Sequence, residues 1–359
     1  MTETKYTSLF GTRLRQARQM AGFSLRELSD RIGGAVSHNA LAKYERGEMM
    51  PDGTLLIALS EALNQPPGFF FRPTEPAIQG VKYRAKHDTL GVKQFQTLEI
   101  KAQDYFERYL SIESILGLKH PFHNPLGKLR IESPQDAETA AEKLRDAWNL
   151  GRQPIGNLME MLELNGIKVC EVDAPPEFDG FSGWIGSTPI VVIGKHLNDQ
   201  CLTRKRHTTI HELGHVLLKD RLAPGLDEEK IVARFAGSFI LPAESCRQAF
   251  GGFRETLSLK ELISIKVTWG ISLGSLMMRA KQQELITPAL SRRFWDRYKA
   301  ENWKAKEPGD DDYRGCERSQ RFRQLVFRAV AEQQVTRSKA ASLLNVTLVE
   351  IRKGDDLLS

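Results

Sequence analysis

The sequence predicts a mainly α fold with one small β-sheet: an all-α N-terminal domain, an α+β middle and a helical C-terminal region. Two observations carry this. Apolar residues recur at three- and four-residue spacing over most of the chain, the period of a helix with one buried face. Only three short apolar runs break that period, 167–172, 189–193 and, more weakly, 181–185, and they read as strands.

The elements follow in order. Residues 9–65 form a compact helical unit. Its first helix, 11–20, turns Leu14 and Ala17 inward and Arg13, Arg15 and Arg18 largely outward, and Gly22 breaks it. Ser24 caps a second helix, with Glu27 placed to close a capping box, and Leu25, Leu28 and Ile32 form its buried face. Gly33 and Gly34 make a turn. Ser37 caps a third helix bearing Ala40, Leu41 and Tyr44, which Gly47 ends. Pro51 opens a fourth with Leu55, Leu56, Leu59 and Leu63.

Prolines 66, 67, 73 and 76 mark a linker. A long amphipathic helix is expected over 91–116, with Phe95, Leu98, Ala102, Tyr105, Phe106, Tyr109 and Leu110 apolar. The segment 119–133 is a second boundary. Helix returns over 137–148 and 155–165, and again over 202–219 and 226–240. The remainder is helical in pattern, interrupted by the polar stretch 308–312. The expected division is 1–72, a linker and long helix over 73–132, a third region over 133–256, and the C-terminal helices over 257–359.

Composition narrows the class. At 41% hydrophobic and 27% charged residues, the chain is neither disordered nor fibrous. The net charge of +6 is uneven: +1 over 1–75, +4 over 76–130, −3 over 131–290 and +4 over 291–359. Basic flanks around an acidic middle are compatible with nucleic-acid contact at the ends. Cys170, Cys201, Cys246 and Cys316 are far apart with no CxxC pair, which reads as reduced thiols. The first ten residues lack a signal pattern, and no apolar run approaches the ~20 residues of a span. A cytoplasmic protein without membrane attachment is expected.

The chemistry concentrates at His211-Glu212-Leu213-Gly214-His215. Positions i and i+4 share a helix face, so both imidazoles can hold one metal ion, and zinc suits such nitrogen donors. Glu212 stands beside them, suited to take a proton from water whose acidity the metal raises. Gly214 inside a helix costs about 1 kcal/mol relative to Ala, which points to close packing there. A third ligand is needed, and a carboxylate from Asp227-Glu228-Glu229, opening the next helix, is in reach. Face arithmetic slightly prefers Glu228, seven residues before Phe235; Glu229 is off by about a quarter turn. His207 shares the histidine face, either as a further ligand or as a packed or solvent-facing side chain.

HELGH, the strand PIVVI before it and EKIVARFAGSFILP after it resemble the ImmA/IrrE family of bacterial metallopeptidases. The resemblance implies a zincin-like fold and a histidine pair followed by glutamate in E-x-x-A-N/D-x-F-A. Matching Phe235-Ala236 to that motif places the third ligand of Zn2+ on Glu229. Two positions depart from the motif: Val232 stands for Ala, and Ala233 for Asn or Asp. The implied activity is zinc-dependent peptide-bond hydrolysis with Glu212 as general base, acting on a repressor protein in stress or mobile-element control.

Residues 9–65 resemble the Cro/C1-type helix-turn-helix through LRQAR at 14–18, SLRELS at 24–29 and the run from Val36-Ser37 to Tyr44-Glu45-Arg46-Gly47. In such a fold the third helix enters the major groove. Ser37, His38, Asn39 and Lys43 would face the bases, Asn reading adenine and Lys guanine. Arg13, Arg15 or Arg18 would hold phosphates, with Arg15 the expected contact. Leu25 stands where that family often has Gln. The two resemblances together imply a regulator that binds double-stranded operator DNA as a homodimer and carries a fused peptidase. The other readings are a transcription factor whose metal site senses and cuts nothing, and an antitoxin-like autorepressor. SKAASLL at 338–344 with NVT has the cadence of another helix-turn-helix, and otherwise of a helical pair closing the fold.

Overall fold

The computed structural model describes residues 2–81, 91–118 and 121–353. The chain forms two compact units, one of residues 2–78, 91–118 and 320–353, the other of 79–81 and 121–319.

The first unit opens with α1 (Thr2–Met20), α2 (Leu25–Arg31), α3 (His38–Glu45) and α4 (Gly53–Ala62), then a 3-10 turn at Pro67–Phe71 and the long α5 (Val92–Ile115). The capping box of Ser24 and Glu27 is formed, and Ser37 accepts from the Ala40 N–H at 3.2 Å. Asp52, not Pro51, caps α4. Phe10, Leu14, Leu28, Leu41, Leu59, Phe69 and Phe70 build the core. Helix α1 starts well before residue 11 and packs against α3, the 3-10 turn and α5.

That crowding corrects the outward placement of two arginines. Arg13 is fully buried, held by the Glu107 carboxylate, the Pro73 carbonyl and, at 2.9 Å, the Arg72 carbonyl. Arg18 grips both Glu45 oxygens at 2.6 and 2.9 Å. Arg15 alone stays half exposed, 3.5 Å from Glu45. The network continues through Arg72, Asp104 and Arg108. Buried charges need such partners, because leaving one unpaired is far costlier than the pair is stabilising.

The second unit holds α6 (Asp136–Ala147), α7 (Leu158–Leu164), β1 (Lys168–Val172), β2 (Gly180–Ile185), β3 (Thr188–Gly194), the short α8 (Leu197–Gln200), α9 (Leu202–Leu218), α10 (Glu228–Ile240), α11 (Ala243–Phe250), α12 (Leu259–Trp269), α13 (Leu273–Gln282) and α14 (Pro288–Ala300). The sheet order is β1-β3-β2, with β3 parallel to β1 and antiparallel to β2. Central β3 is buried over Pro189–Gly194, which is why its sequence is continuously apolar. A two-residue turn, Gly186 (φ +57°) and Ser187, joins β2 to β3.

Helix α9 packs on the sheet and on α10 through Ile210, Leu213, Leu217, Ile231, Phe235 and Phe239. Arg145 of α6 is buried and donates to the Gly151, Gln153 and Phe239 carbonyls; burial lowers its pKa to about 10. After α14 the chain is irregular to residue 320. Lys266 anchors it, 2.9 Å from Glu307 and 2.5 Å from Asp310, and Glu307 accepts from the Leu273 and Gly274 N–H groups.

Three last helices, α15 (Arg321–Ala331), α16 (Arg337–Leu344) and α17 (Leu348–Lys353), return to the first unit. They close a second core on α5, where Phe322 stacks on Tyr109 at 5.0 Å and Leu325, Val326 and Leu343 are buried. No helix of the described residues is long and apolar enough to cross a membrane.

Candidate metal centre and DNA-reading helix

The centre is made where α9 and α10 approach most closely. A Cβ on Gly214 would lie 2.7 Å from Val232 Cγ1 and 3.2 Å from Phe235 Cδ1. The glycine costs helix propensity and gains a close helix contact, as its sequence position suggested. Val232 fills that gap, which accounts for an apolar residue there. Asp227 caps α10, accepting from the Lys230 N–H at 3.3 Å. Glu228 and Glu229 are thereby fixed in the first turn of α10, facing α9.

His211 and His215 turn their Nε2 atoms to within 3.2 Å of each other. The Glu229 carboxylate reaches both, 3.3 Å from Nε2 of His211 and 3.2 Å from Nε2 of His215. Donors about 2.0–2.2 Å from a tetrahedral zinc stand roughly 3.3–3.6 Å apart, so this set fits a zinc ion. Both histidines are buried, whereas Glu229 is half exposed, so the set opens to solvent on the Glu229 side.

Glu228 takes the other nitrogen, its Oε1 2.8 Å from His215 Nδ1. The two acids thus serve opposite sides of one ring: Glu229, indicated by the motif match, reaches both Nε2 atoms, and Glu228, which face arithmetic slightly prefers, takes the outer nitrogen. Such a carboxylate behind a ligating histidine fixes its ring and raises its basicity. Burial works against charge on His215, but Glu229, Glu212 and Glu228 together hold its pKa above the ordinary value. His207 stands apart: its ring lies 6.1 Å from that of His211, and the ligand cluster found among the described residues is His211, His215 and Glu229.

Glu212 is buried on the sheet side of α9, and its Oε2 accepts from Ser182 Oγ at 3.0 Å. No sequence motif marks Ser182. Its contact with Glu212 depends on β2 meeting α9, and nothing in the local pattern of β2 announces it. Ser182, Trp184, Glu212 and His215 line one small cleft.

In the first unit, Ser37, Asn39 and Lys43 are exposed along α3, and His38 is half buried. Asn39 and Lys43 sit one turn apart on one face. Arg15 lies on α1, near Glu45 at the C-terminal end of α3. Leu25 is half buried at the start of α2 and offers no polar group.

Fold and site define a two-module protein, a helix-turn-helix domain followed by a domain built around a histidine pair. Residues 14–70 match the helix-turn-helix family model, and residues 162–281 match the model described as IrrE N-terminal-like domain. The chain therefore joins a Cro/C1-type helix-turn-helix to an ImmA/IrrE-like peptidase domain, in that order. No curated protein matches the chain.

Proposed function

We propose that the protein is an operator-binding regulator whose second unit is a zinc-dependent peptidase acting on a repressor protein. The carrying observation is the donor triangle: two Nε2 atoms and one carboxylate at separations of 3.2–3.3 Å, beside the buried Glu212. His211, His215 and Glu229 hold Zn2+, which when bound makes water more acidic and polarises a carbonyl oxygen. Glu212 accepts the proton of the attacking water and passes it to the leaving amine nitrogen. Ser182 donates to one Glu212 oxygen and so fixes the carboxylate plane. Glu228 holds the His215 ring. On DNA, Asn39 and Lys43 of α3 contact base edges, Ser37 and His38 lie at the start of the same helix, and Arg15 contacts phosphate, with two copies on a two-fold operator.

The test pairs metal content with cleavage. Purified protein is expected to hold one zinc per chain, lost in His211→Ala. Glu212→Gln is expected to keep zinc and lose cleavage of co-incubated repressor proteins. Retained cleavage in Glu212→Gln refutes the hydrolytic role. A variant that still regulates normally points instead to a sensing metal domain. Asn39→Ala and Lys43→Ala are expected to relax operator preference, and Arg15→Ala to lower the salt slope of DNA binding by about one.

A further inference from the structure

Among the described residues, strand β2 pairs with another strand, β3, on one side only. Its outer edge is nonetheless occupied. Gln79 donates its N–H to the Trp184 carbonyl at 2.8 Å and accepts from the Trp184 N–H at 2.9 Å, an antiparallel bridge. By the two-residue period of a strand, the N–H and C=O of Ser182 and Gly180 face the same edge. The next residue, Gly80, has φ +71° and lines the cleft with Ser182, Trp184, Glu212 and His215. The free volume there is about 30 Å³. A buried water needs about 10–15 Å³, so the cleft has room for a water or two and none for a peptide.

An extended polypeptide binds a sheet edge by adding a strand, with main-chain hydrogen bonds supplying the affinity. The edge nearest Glu212 is the one that Gln79 covers. We infer that residues 79–80 are a built-in competitor strand: they occupy the β2 edge that an extended polypeptide substrate must pair with, and keep the cleft shut until the Gln79–Trp184 bridge opens. The inference rests on the hydrolytic reading of this site and adds its regulation. The latch is slight, one reciprocal hydrogen-bonded pair, and the Gln79 side chain is exposed. Its opening therefore costs little core. On its N-terminal side the latch is tied down, since the Ile78 N–H donates to Gln103 Oε1 at 2.9 Å within the first unit.

Gln79→Pro removes the donating N–H and leaves the linker length unchanged. The test uses the full chain, zinc-loaded and made inert by Glu212→Gln, with and without Gln79→Pro. The probe is carboxymethylated α-lactalbumin, a permanently unfolded protein. The Pro variant is expected to bind it about tenfold more tightly, a factor equivalent to ~1.4 kcal/mol. Hydrogen exchange at the Trp184 amide is expected to quicken in parallel. Equal affinities overturn the inference even if exchange quickens, because the bridge then guards nothing. A Trp184 amide that exchanges without protection in the chain with Gln79 intact overturns it too, because the bridge is then not made in solution. Cleavage by the matching Glu212-containing pair is read separately: if neither cuts, the hydrolytic reading fails, while the binding comparison still decides the latch.

Discussion

Gly214→Ala tests how the donor triangle is held together. The new methyl would start 2.7 Å from Val232 Cγ1. Carbon atoms rest about 3.5–4.0 Å apart, so α9 and α10 must part there by roughly 0.8–1.3 Å. Overpacking of this kind costs typically ~1–3 kcal/mol, partly offset by the ~1 kcal/mol that Ala gains over Gly in a helix. Glu229 lies three residues before Val232 on α10, so the displacement carries its carboxylate away from both imidazoles.

Val232→Ala alone loses about 1.5 kcal/mol, at ~0.8 kcal/mol for each of two buried carbons. In the double variant the methyl at 214 has space, and the loss is expected to fall short of the sum of the two single losses by at least ~1 kcal/mol, within the range for contacting residues. All five tryptophans, from Trp148 to Trp303, lie in the second unit. Urea unfolding followed by tryptophan fluorescence therefore reports on that unit alone. Zinc affinity, measured against a chromophoric chelator, is expected to drop at least tenfold in Gly214→Ala and to recover in the double variant. Additive losses of stability, or undiminished zinc affinity in the single variant, refute the argument that this contact sets the Glu229–histidine spacing.

Three further outcomes are expected. Glu229→Ala abolishes zinc loading, whereas Glu228→Gln weakens it by about 10–100-fold, the usual cost of losing a partner behind a ligand; chelator competition measures both, and a reversed order exchanges their roles. Ser182→Ala lowers kcat by roughly tenfold with KM and zinc content unchanged, and Ser182→Thr restores part of it; loss of zinc instead would mean that the serine supports the fold and not Glu212. Glu138, between Arg234 and Arg279, titrates below its ordinary value of 4.5: burial pushes it up, but the two guanidiniums outweigh burial. Its contribution is therefore full above the unfolded value and lost as pH falls through the lower folded one. Wild type should lose more second-unit stability than Glu138→Gln on acidification below pH ~4.5, read by the same urea titration; equal losses contradict the pairing.

What was legible in the sequence was local. Ser24 with Glu27, and Ser37 three residues before Ala40, announce helix starts because a cap is made within one turn. The histidine spacing is legible for the same reason, since one helix sets it. Gly214 is the instructive intermediate. A glycine amid apolar helix residues signals that another element comes close, without saying which, and α10 proves to be that element. The start of α1 leaves little trace because Tyr6 is the one apolar or aromatic side chain in residues 2–8, too few to show a helical period.

Polar contacts across the chain left no comparable trace. Arg13 reads as solvent-facing on its helix because its partner, Glu107, is 94 residues away. Ser182 meets Glu212 across 30 residues, and Gln79 meets Trp184 across more than a hundred. Apolar burial repeats along an element and so writes a period into the sequence. A single hydrogen bond between distant residues is made once and repeats nowhere. The ligand set is built mostly by the first kind of information: the histidine face and the packed Gly214–Val232 seam deliver Glu229 to its place. Orientation of Glu212 by Ser182, and access along β2 past Gln79, are built by the second. Substitutions at Ser182 or Gln79 should therefore change how the site works while leaving intact the pattern by which it is recognised, so a motif match alone does not report whether the site is open.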